Sequence, residues 1–184
     1  MNNGLIAARY ATALIGFANV SNSTEQVYDE AKIIVQSYFQ FNELRQALDN
    51  PVLAKAEKYK IILLAAGGKV SKSLSRFVEI LLENNREVHL LSIALKYIDL
   101  YRKENNIHSG KLTTATIVEK SVEKRLLAMM QNATGGTVEI EKIINPAILG
   151  GFQLEVDFVR WDASLSGQLQ RIKADYIEKN KSIV

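Results

Sequence analysis

The stretch Asn145–Leu169, NPAILGGFQLEVDFVRWDASLSGQL, holds the most regular pattern in this chain. Within it, Phe152–Phe158 alternates apolar and polar residues, which is the period of a strand that buries one face. Gly150-Gly151 precedes that strand and predicts a turn. Asp162 or Ser164 is placed to cap a following helix. The apolar positions of this last helix recur at helical spacing: Leu165, Leu169, Ile172 and Tyr176.

Upstream of this stretch, the sequence predicts two further strands and one helix. Leu112–Val118 is rich in threonine and β-branched residues, and Val138–Glu141 alternates apolar with acidic residues, so both predict strands. Glu119–Ala133 lies between them with helical spacing. Residues 106–184 are therefore expected to form a small α/β domain, after a polar and flexible hinge near residues 105–110. The apolar face predicted for this helix comprises Val122, Leu126, Met129 and Ala133.

Residues 1–105 are expected to form a bundle of six helices, because apolar residues recur there at helical spacing. Thr24 is a candidate cap for the second helix. The pattern is interrupted at Asn50-Pro51, Gly67-Gly68 and Asn84-Asn85, where helices should end. The fold class predicted is thus mostly α: an N-terminal six-helix bundle followed by a small α/β domain. The six predicted helices cover residues 4–19, 24–39, 41–49, 54–66, 72–84 and 88–104.

The composition favours neither nucleic acid nor a membrane as a direct partner. The chain has 184 residues with 23 Lys and Arg against 20 Asp and Glu, and residues 1–105 carry 13 basic and 11 acidic side chains. Since neither half has a basic surplus, nucleic acid is not expected to bind. The absence of cysteine excludes disulfides and thiolate metal sites. The longest apolar run, Ile61–Ala66, is too short to cross a bilayer, so any membrane association is expected to go through a partner.

Residues that could carry chemistry are scattered along the sequence. Gly67-Gly68-Lys69 is similar to the end of a phosphate-binding loop. However, Leu63 and Val70 occupy the places where such a loop needs a glycine and a Ser or Thr. His89 and His108 are isolated, with no second histidine or carboxylate at metal-ligand spacing. These positions therefore predict a helix end and ordinary surface or helix-end histidines.

Two aspartates and the only tryptophan are also better explained by structure. Asp157 and Asp162 could form an acid–base pair, but the first lies in a predicted strand and the second at a predicted helix cap. Trp161 follows the strand, and packing in the core or at a strand edge is favoured over a role as a partner hot spot. No catalytic residue, metal site or cofactor is expected.

Three predicted helices have more apolar surface than one packing contact requires. Apolar positions span about 220° of the first helix, about 200° of the fifth and about 220° of the sixth, against roughly 100° in an ordinary bundle helix. Such a helix is either buried on all sides or exposes a groove for a partner helix. Because six helices cannot all be central in so small a domain, a partner groove on at least one of them is favoured.

Four segments, in the same order, resemble the delta subunit of F-type ATP synthases, called the oligomycin-sensitivity-conferring protein in mitochondria. Arg9–Leu14 is similar to the family's opening helix, and Asn50-Pro51 followed by Lys58 is similar to its middle. Phe77–Arg86 is similar to the family's Leu-x-Glu-Asn-Gly-Arg segment, with Asn85 in place of the usual glycine. The tail quoted first is the most specific of the four.

The resemblance implies a non-catalytic adaptor in a proton-translocating ATP synthase, on the cytoplasmic face of the inner membrane. The N-terminal bundle would hold the N-terminal helix of an alpha subunit in a groove of the first and fifth helices. The C-terminal domain would hold the b subunits of the peripheral stalk. Judged by apolar exposure, the groove residues expected are Ile6, Tyr10, Ala13, Leu14, Phe17, Phe77, Val78 and Leu81, and the stalk-binding residues expected are Leu165, Leu169 and Ile172.

Two other classes of protein stay open at this point. A small α+β nucleotide-binding enzyme would draw on Gly67-Gly68-Lys69 and on the glycine-rich second half of the chain. An RNA-binding helical protein, such as a transcription antiterminator, would need a basic surface that the near-neutral halves do not supply.

Overall fold

The computed structural model describes residues 3–117, 120–157 and 159–181. This part of the chain is mostly helical, with eight α-helices and one four-stranded sheet. The chain divides into two compact units, Met1–Asn105 and Asn106–Val184. The strand and helix predictions at Val118, Glu119 and Phe158 fall outside the described residues, as does the side chain of Ala133.

The first unit contains six of these α-helices within its described residues. They begin and end within two residues of the predicted positions, except that a 3-10 turn at Glu87–His89 precedes the last of them. All six bury apolar side chains. The bounds are α1 Asn3–Val20, α2 Thr24–Gln40, α3 Asn42–Asp49, α4 Lys55–Ala65, α5 Lys72–Glu83 and α6 Leu90–Glu104.

The width of the apolar surface on α5 is explained by burial. This helix lies against both α1 and α4, so most of its apolar positions are covered from more than one side. On α1, by contrast, one face is buried through Ala7, Ala11 and Leu14, while Leu5 and Phe17 stay exposed. Of these two helices, α1 leaves more large apolar side chains uncovered, since α5 exposes only Ile80, at 38%, among its large apolar residues. The buried positions of α5 are Ser73, Leu74, Phe77, Val78, Leu81 and Leu82.

Helix ends in this unit use asparagine and glycine in the left-handed conformation. Asn85 has a φ of 54°, and the next amide, of Arg86, donates to the Leu81 carbonyl at 2.9 Å, which closes α5. The sequence interpretation of this turn is confirmed. The prediction for Thr24 is wrong: α2 begins at that residue without a side-chain cap. The preceding Ser23 pairs its hydroxyl with that of Ser73 at 2.7 Å instead.

A buried ion pair ties the middle of the first unit together. The Lys58 ammonium donates to Glu87 Oε1 at 2.7 Å and to the Leu48 carbonyl at 2.8 Å. Leu48 lies near the end of α3, and Glu87 lies in the 3-10 turn before α6. One cation therefore links three separate elements, and its own methylene chain packs inside the unit.

The second unit places two helices beside a four-stranded sheet. Its order is β2-β1-β3-β4, with β1 and β2 parallel and the other neighbours antiparallel. Parallel strands need a long crossover connection, and here the α7 helix lies in that connection. The bounds are β1 Ile107–Thr114, α7 Lys120–Thr134, β2 Thr137–Ile144, β3 Phe152–Val156, β4 Val159–Asp162 and α8 Leu165–Lys181. The core residues are Leu112, Leu126, Met130, Val138, Leu154 and Val156.

Several predictions for the second unit need correction. The hinge prediction is wrong for residues 107–110, because β1 already begins at Ile107 and pairs with two neighbours. The predicted strand over residues 112–118 begins earlier, at Ile107, and ends at Thr114, so residues 115–117 do not belong to it. The buried face of α7 is rotated, since Met130 is buried and Met129 is exposed. The strand β4 is not predicted at all, because its four residues are too few to show a period.

Candidate functional site

An open cleft lies along one face of α1. It has a volume of about 320 Å³ and combines apolar and cationic side chains. Four of its residues recur along α1 at intervals of three and four, so they share one side of the helix. The fifth follows α5 and reaches this side because Asn85 turns the chain there. The residues of this α1 cleft are Ile6, Arg9, Tyr10, Ala13 and Arg86.

An aromatic contact fixes the α1 cleft to α5. The rings of Tyr10 and Phe77 meet edge to face, with centroids 6.3 Å apart and planes at 75°. This geometry is favourable for two aromatic rings, because the positive edge of one faces the negative surface of the other. Phe77 is buried and Tyr10 is half-buried, so the pair joins the core to the cleft.

The predicted groove residues fall into two groups. Ile6 and Tyr10 are half-buried, and Ala13 and Phe17 are exposed, with Phe17 at 47%. The others lie in the core of the first unit: Leu14, Phe77, Val78 and Leu81. Apolar periodicity marks a side chain that avoids water, but it does not say whether a neighbouring helix already covers that side chain. The role of each of these residues in binding stays a prediction.

Sequence reasoning missed the two arginines of the α1 cleft. Arg9 belongs to the polar stripe of α1 and has the pattern of an ordinary solvated residue. Arg86 lies just beyond the end of a helix, and only the turn at Asn85 brings it to α1. A basic residue directly after a left-handed helix end is the one available signal, and it is a weak one.

A second cleft of about 600 Å³ opens over the β3–β4 half of the sheet. Trp161 pairs with Leu154 in the antiparallel register, so both side chains point to the same face of the sheet. On the edge strand, Trp161 remains 43% exposed. It therefore lies at a strand edge, one of the two packing sites expected for it, with part of its ring in the cleft. The residues of this sheet cleft are Leu126, Met129, Met130, Phe152, Leu154, Arg160, Trp161, Asp162, Ala163 and Arg171.

The start of α8 is fixed by a capping arrangement. Ser164 is fully buried, and its hydroxyl accepts from the Gly167 amide at 3.1 Å. The Ser164 hydroxyl and amide both donate to Asp162 Oδ1, and these bonds lower the pKa of the Asp162 carboxyl. The cap prediction is confirmed, with Ser164 capping the helix and Asp162 holding Ser164.

The apolar stripe predicted for α8 faces solvent along the helix. Leu165, Leu169 and Ile172 are 50%, 57% and 64% exposed, and Tyr176 continues the same stripe. An exposed apolar stripe of this kind is typical of a surface that binds a partner. These three residues, expected from the sequence to bind the stalk, are thus accessible, and their role stays a prediction.

The glycine pair at residues 67 and 68 closes a helix. Both glycines have positive φ, 101° and 82°, and their amides donate to the Leu64 and Leu63 carbonyls. The amides that would cradle a phosphate are therefore already used by α4. The prediction of a helix end is confirmed, and the nucleotide-binding enzyme gains no support from this turn.

One histidine is less isolated than the sequence suggests. His108 Nδ1 lies 2.6 Å from Asp157 Oδ2, because β1 pairs with β3 and the turn after β3 carries Asp157. The sequence predicts Asp157 in the strand, but this residue has a φ of 50° and belongs to that turn. Among the residues that the structure describes, no three His, Asp or Glu side chains are grouped to hold a metal ion. No helix in the same residues is long and apolar enough to span a membrane.

Comparison with known proteins gives one consistent family. The family model for the ATP synthase delta (OSCP) subunit matches residues 6–175. A Phocaeicola vulgatus protein named ATP synthase subunit delta is 47% identical over 182 residues, which is 98% of each chain. A Bacteroides fragilis protein of the same name is 36% identical over 186 residues, covering both chains completely.

The fold is also found in a solved complex. A chain in the cryo-EM structure of the Toxoplasma gondii mitochondrial ATP synthase hexamer matches with a TM-score of 0.67 and 19% identity. The match covers 93% of this chain and 97% of that one, so both units take part in it. The family match over residues 6–175 and the Phocaeicola and Bacteroides relatives show that the chain belongs to the ATP synthase delta (OSCP) subunit family.

Proposed function

We propose that this chain is a non-catalytic adaptor of a proton-translocating F-type ATP synthase, joining the catalytic head to the peripheral stalk. The observation that carries this proposal is the family match, which extends over both units. In this account the first unit acts as a six-helix bundle that binds the head, and the second unit binds the stalk. The chain lies on the cytoplasmic face of the inner membrane and meets the membrane only through the complex.

The first interface is proposed to be a helix laid against α1. An amphipathic helix binds where a partner offers exposed apolar side chains at helical spacing. Ile6, Tyr10, Ala13 and Phe17 are separated by four, three and four residues, so they form one stripe. The occupant is the N-terminal helix of an alpha subunit. Leu14, Phe77, Val78 and Leu81 would support this stripe from the core rather than contact the partner.

The second interface is proposed to use the exposed stripe of α8 and the adjoining sheet cleft. Leu165, Leu169 and Ile172 supply apolar contacts, and Trp161 supplies a large aromatic surface of the type that dominates interface energies. The occupant is the end of the b subunits. Each interface needs only tight, water-excluding contact, since an adaptor that resists torque has no bond to make or break.

A single charged substitution should show whether the α1 stripe, and not another part of the surface, binds the partner helix. The probe is a peptide that copies the N-terminal helix of an alpha subunit, called the alpha peptide below. We expect Tyr10→Asp in the full chain to weaken binding of the alpha peptide by about 30-fold or more. The reason is that a central aromatic residue of a helix interface contributes about 2 kcal/mol or more. Isothermal titration calorimetry measures this, with circular dichroism to verify that the variant is folded.

The matched control is Phe39→Asp, which adds the same charge at an exposed aromatic residue outside both clefts. That variant should bind the alpha peptide like the unmodified chain. Equal losses in the two variants, or no peptide binding by the unmodified chain at high micromolar concentrations, would contradict the proposed first interface.

A further inference from the structure

We propose that the α1 cleft selects its partner helix by charge, holding an acidic side chain of that helix between Arg9 and Arg86. This inference rests on the proposed function, because it takes the occupant to be an amphipathic helix. It adds a requirement that an apolar stripe alone does not impose: one Asp or Glu must lie at the edge of the partner's apolar face.

Both arginines of the α1 cleft lack a partner among the residues that the structure describes. Within the described part of the chain, neither the Arg9 nor the Arg86 side chain makes a hydrogen bond or ion pair, although both line the same cleft. Other exposed arginines of this unit do find partners. Arg76 pairs with Glu79 at 2.7 Å, and Arg45 lies 3.9 Å from Asp49.

The two arginines share the cleft because α1 carries one of them and the turn after α5 carries the other. Arg9 lies among Ile6, Tyr10 and Ala13 on α1, within an otherwise apolar wall. Arg86 is directed to the same place by the left-handed turn that closes α5. Two cations on one cleft repel each other, and this repulsion grows when a partner displaces water. A carboxylate between them relieves the repulsion and accepts charge-assisted hydrogen bonds from both guanidinium groups.

The walls of the cleft favour a carboxylate carried on a helix over a free anion. Ile6, Tyr10 and Ala13 offer aliphatic and aromatic surface but no free backbone amides, since all three lie inside α1. A fully hydrated inorganic anion would gain little from such walls. A carboxylate carried on a helix suits them, because its methylene groups and neighbouring apolar side chains cover the walls while the charge meets the arginines.

The experiment is a charge-swap titration on the full chain. The probes are the alpha peptide and a set of its variants in which each Asp or Glu is replaced singly by Asn, Gln or Lys. We expect Arg9→Glu and Arg86→Glu each to weaken binding of the unmodified peptide about tenfold. One peptide position should be coupled to both arginines, and its Lys variant should recover most of the affinity lost in Arg86→Glu.

Two controls make the titration specific. Arg45→Glu makes the same change in net charge on α3, outside the cleft, and should leave affinity within about twofold of the unmodified chain. In a salt titration, affinity of the unmodified chain for the alpha peptide should fall as salt rises, and the slope should be smaller for Arg86→Gln. Circular dichroism verifies folding of each variant.

The two proposals fail in different ways. If the alpha peptide binds, Tyr10→Asp abolishes binding, and Arg9→Gln and Arg86→Gln bind as tightly as the unmodified chain, charge selection is overturned and the adaptor role stands. If every Arg-to-Glu variant, including Arg45→Glu, loses the same affinity, the effect is general electrostatics and charge selection is likewise overturned. If the peptide does not bind the unmodified chain at all, the adaptor interface itself fails.

Discussion

Replacing Lys58 with methionine is expected to lower the free energy of unfolding by about 3–5 kcal/mol, the usual cost of removing one partner from a buried ion pair. The Lys58 and Glu87 side chains are only 6% and 9% exposed, and their charged atoms lie 2.7 Å apart. Without Lys58, the Glu87 carboxylate stays buried without its cation, and the Leu48 carbonyl loses its donor. Urea-induced unfolding followed by circular dichroism measures the loss.

Acidification gives an independent test of the same pair. Burial raises the pKa of Glu87, but the hydrogen bond and charge of Lys58 outweigh burial and hold that pKa below its usual value. The pair therefore stabilises the fold above the ordinary glutamate pKa of about 4.3, and this contribution is lost as pH falls through the lowered value. The Lys58→Met variant should lack this component of acid sensitivity.

Two further variants show whether the effect belongs to the pair. The double variant Lys58→Met with Glu87→Leu removes both charges and should recover much of the lost stability. Lys96→Met removes an exposed ion pair with Asp99 and should cost less than about 1 kcal/mol. A Lys58→Met variant within about 1 kcal/mol of the unmodified chain would mean that the pair contributes little.

Replacing Gly151 with alanine is expected to destabilise the second unit by about 3 kcal/mol or more, because a clash and backbone strain act together. A Cβ at this position would collide with the Ala163 carbonyl oxygen and lie 3.1 Å from its carbonyl carbon. Both obstacles are backbone atoms that cannot rotate away. The residue also has a φ of 75°, which side-chain-bearing residues rarely adopt.

Gly135→Ala is the matched control for this prediction. Gly135 has a similar φ of 68°, but a Cβ there would meet nothing within 4 Å. Gly135→Ala should therefore lower the free energy of unfolding by only about 1 kcal/mol, because it adds backbone strain without a clash. Because the chain around Gly151 runs beside the residues that start α8, Gly151→Ala should also weaken binding of the stalk segment. Equal losses of stability in Gly151→Ala and Gly135→Ala would show that the close approach to Ala163 is unimportant.

The features predicted correctly from the sequence are those governed by neighbours along the chain. Helices in the first unit follow from apolar spacing, and their ends follow from Asn50-Pro51, Gly67-Gly68 and Asn85. The Ser164 cap and the alternation that gives β3 are equally local. The tail Asn145–Leu169 also carries the family resemblance, which the family match confirms.

What the sequence could not supply depends on residues far apart in the chain. Burial of α5 on a broad face depends on which helices pack against it, and apolar spacing does not identify those neighbours. His108 and Asp157 meet only through pairing between β1 and β3. Arg86 reaches the α1 cleft through a turn, and β4 is too short to show a period. The sequence therefore predicts the apolar part of the candidate site and misses its charged part.

The adaptor role requires that both partners be held at once, and one measurement tests this requirement directly. The full chain is first saturated with the alpha peptide, and a segment from the C-terminal end of the b protein of the stalk is then titrated into that complex by isothermal titration calorimetry. We predict that the b segment binds with a Kd within about twofold of its value for the free chain, because independent sites do not couple. Loss of b-segment binding in the presence of the alpha peptide would contradict a stator link between head and stalk.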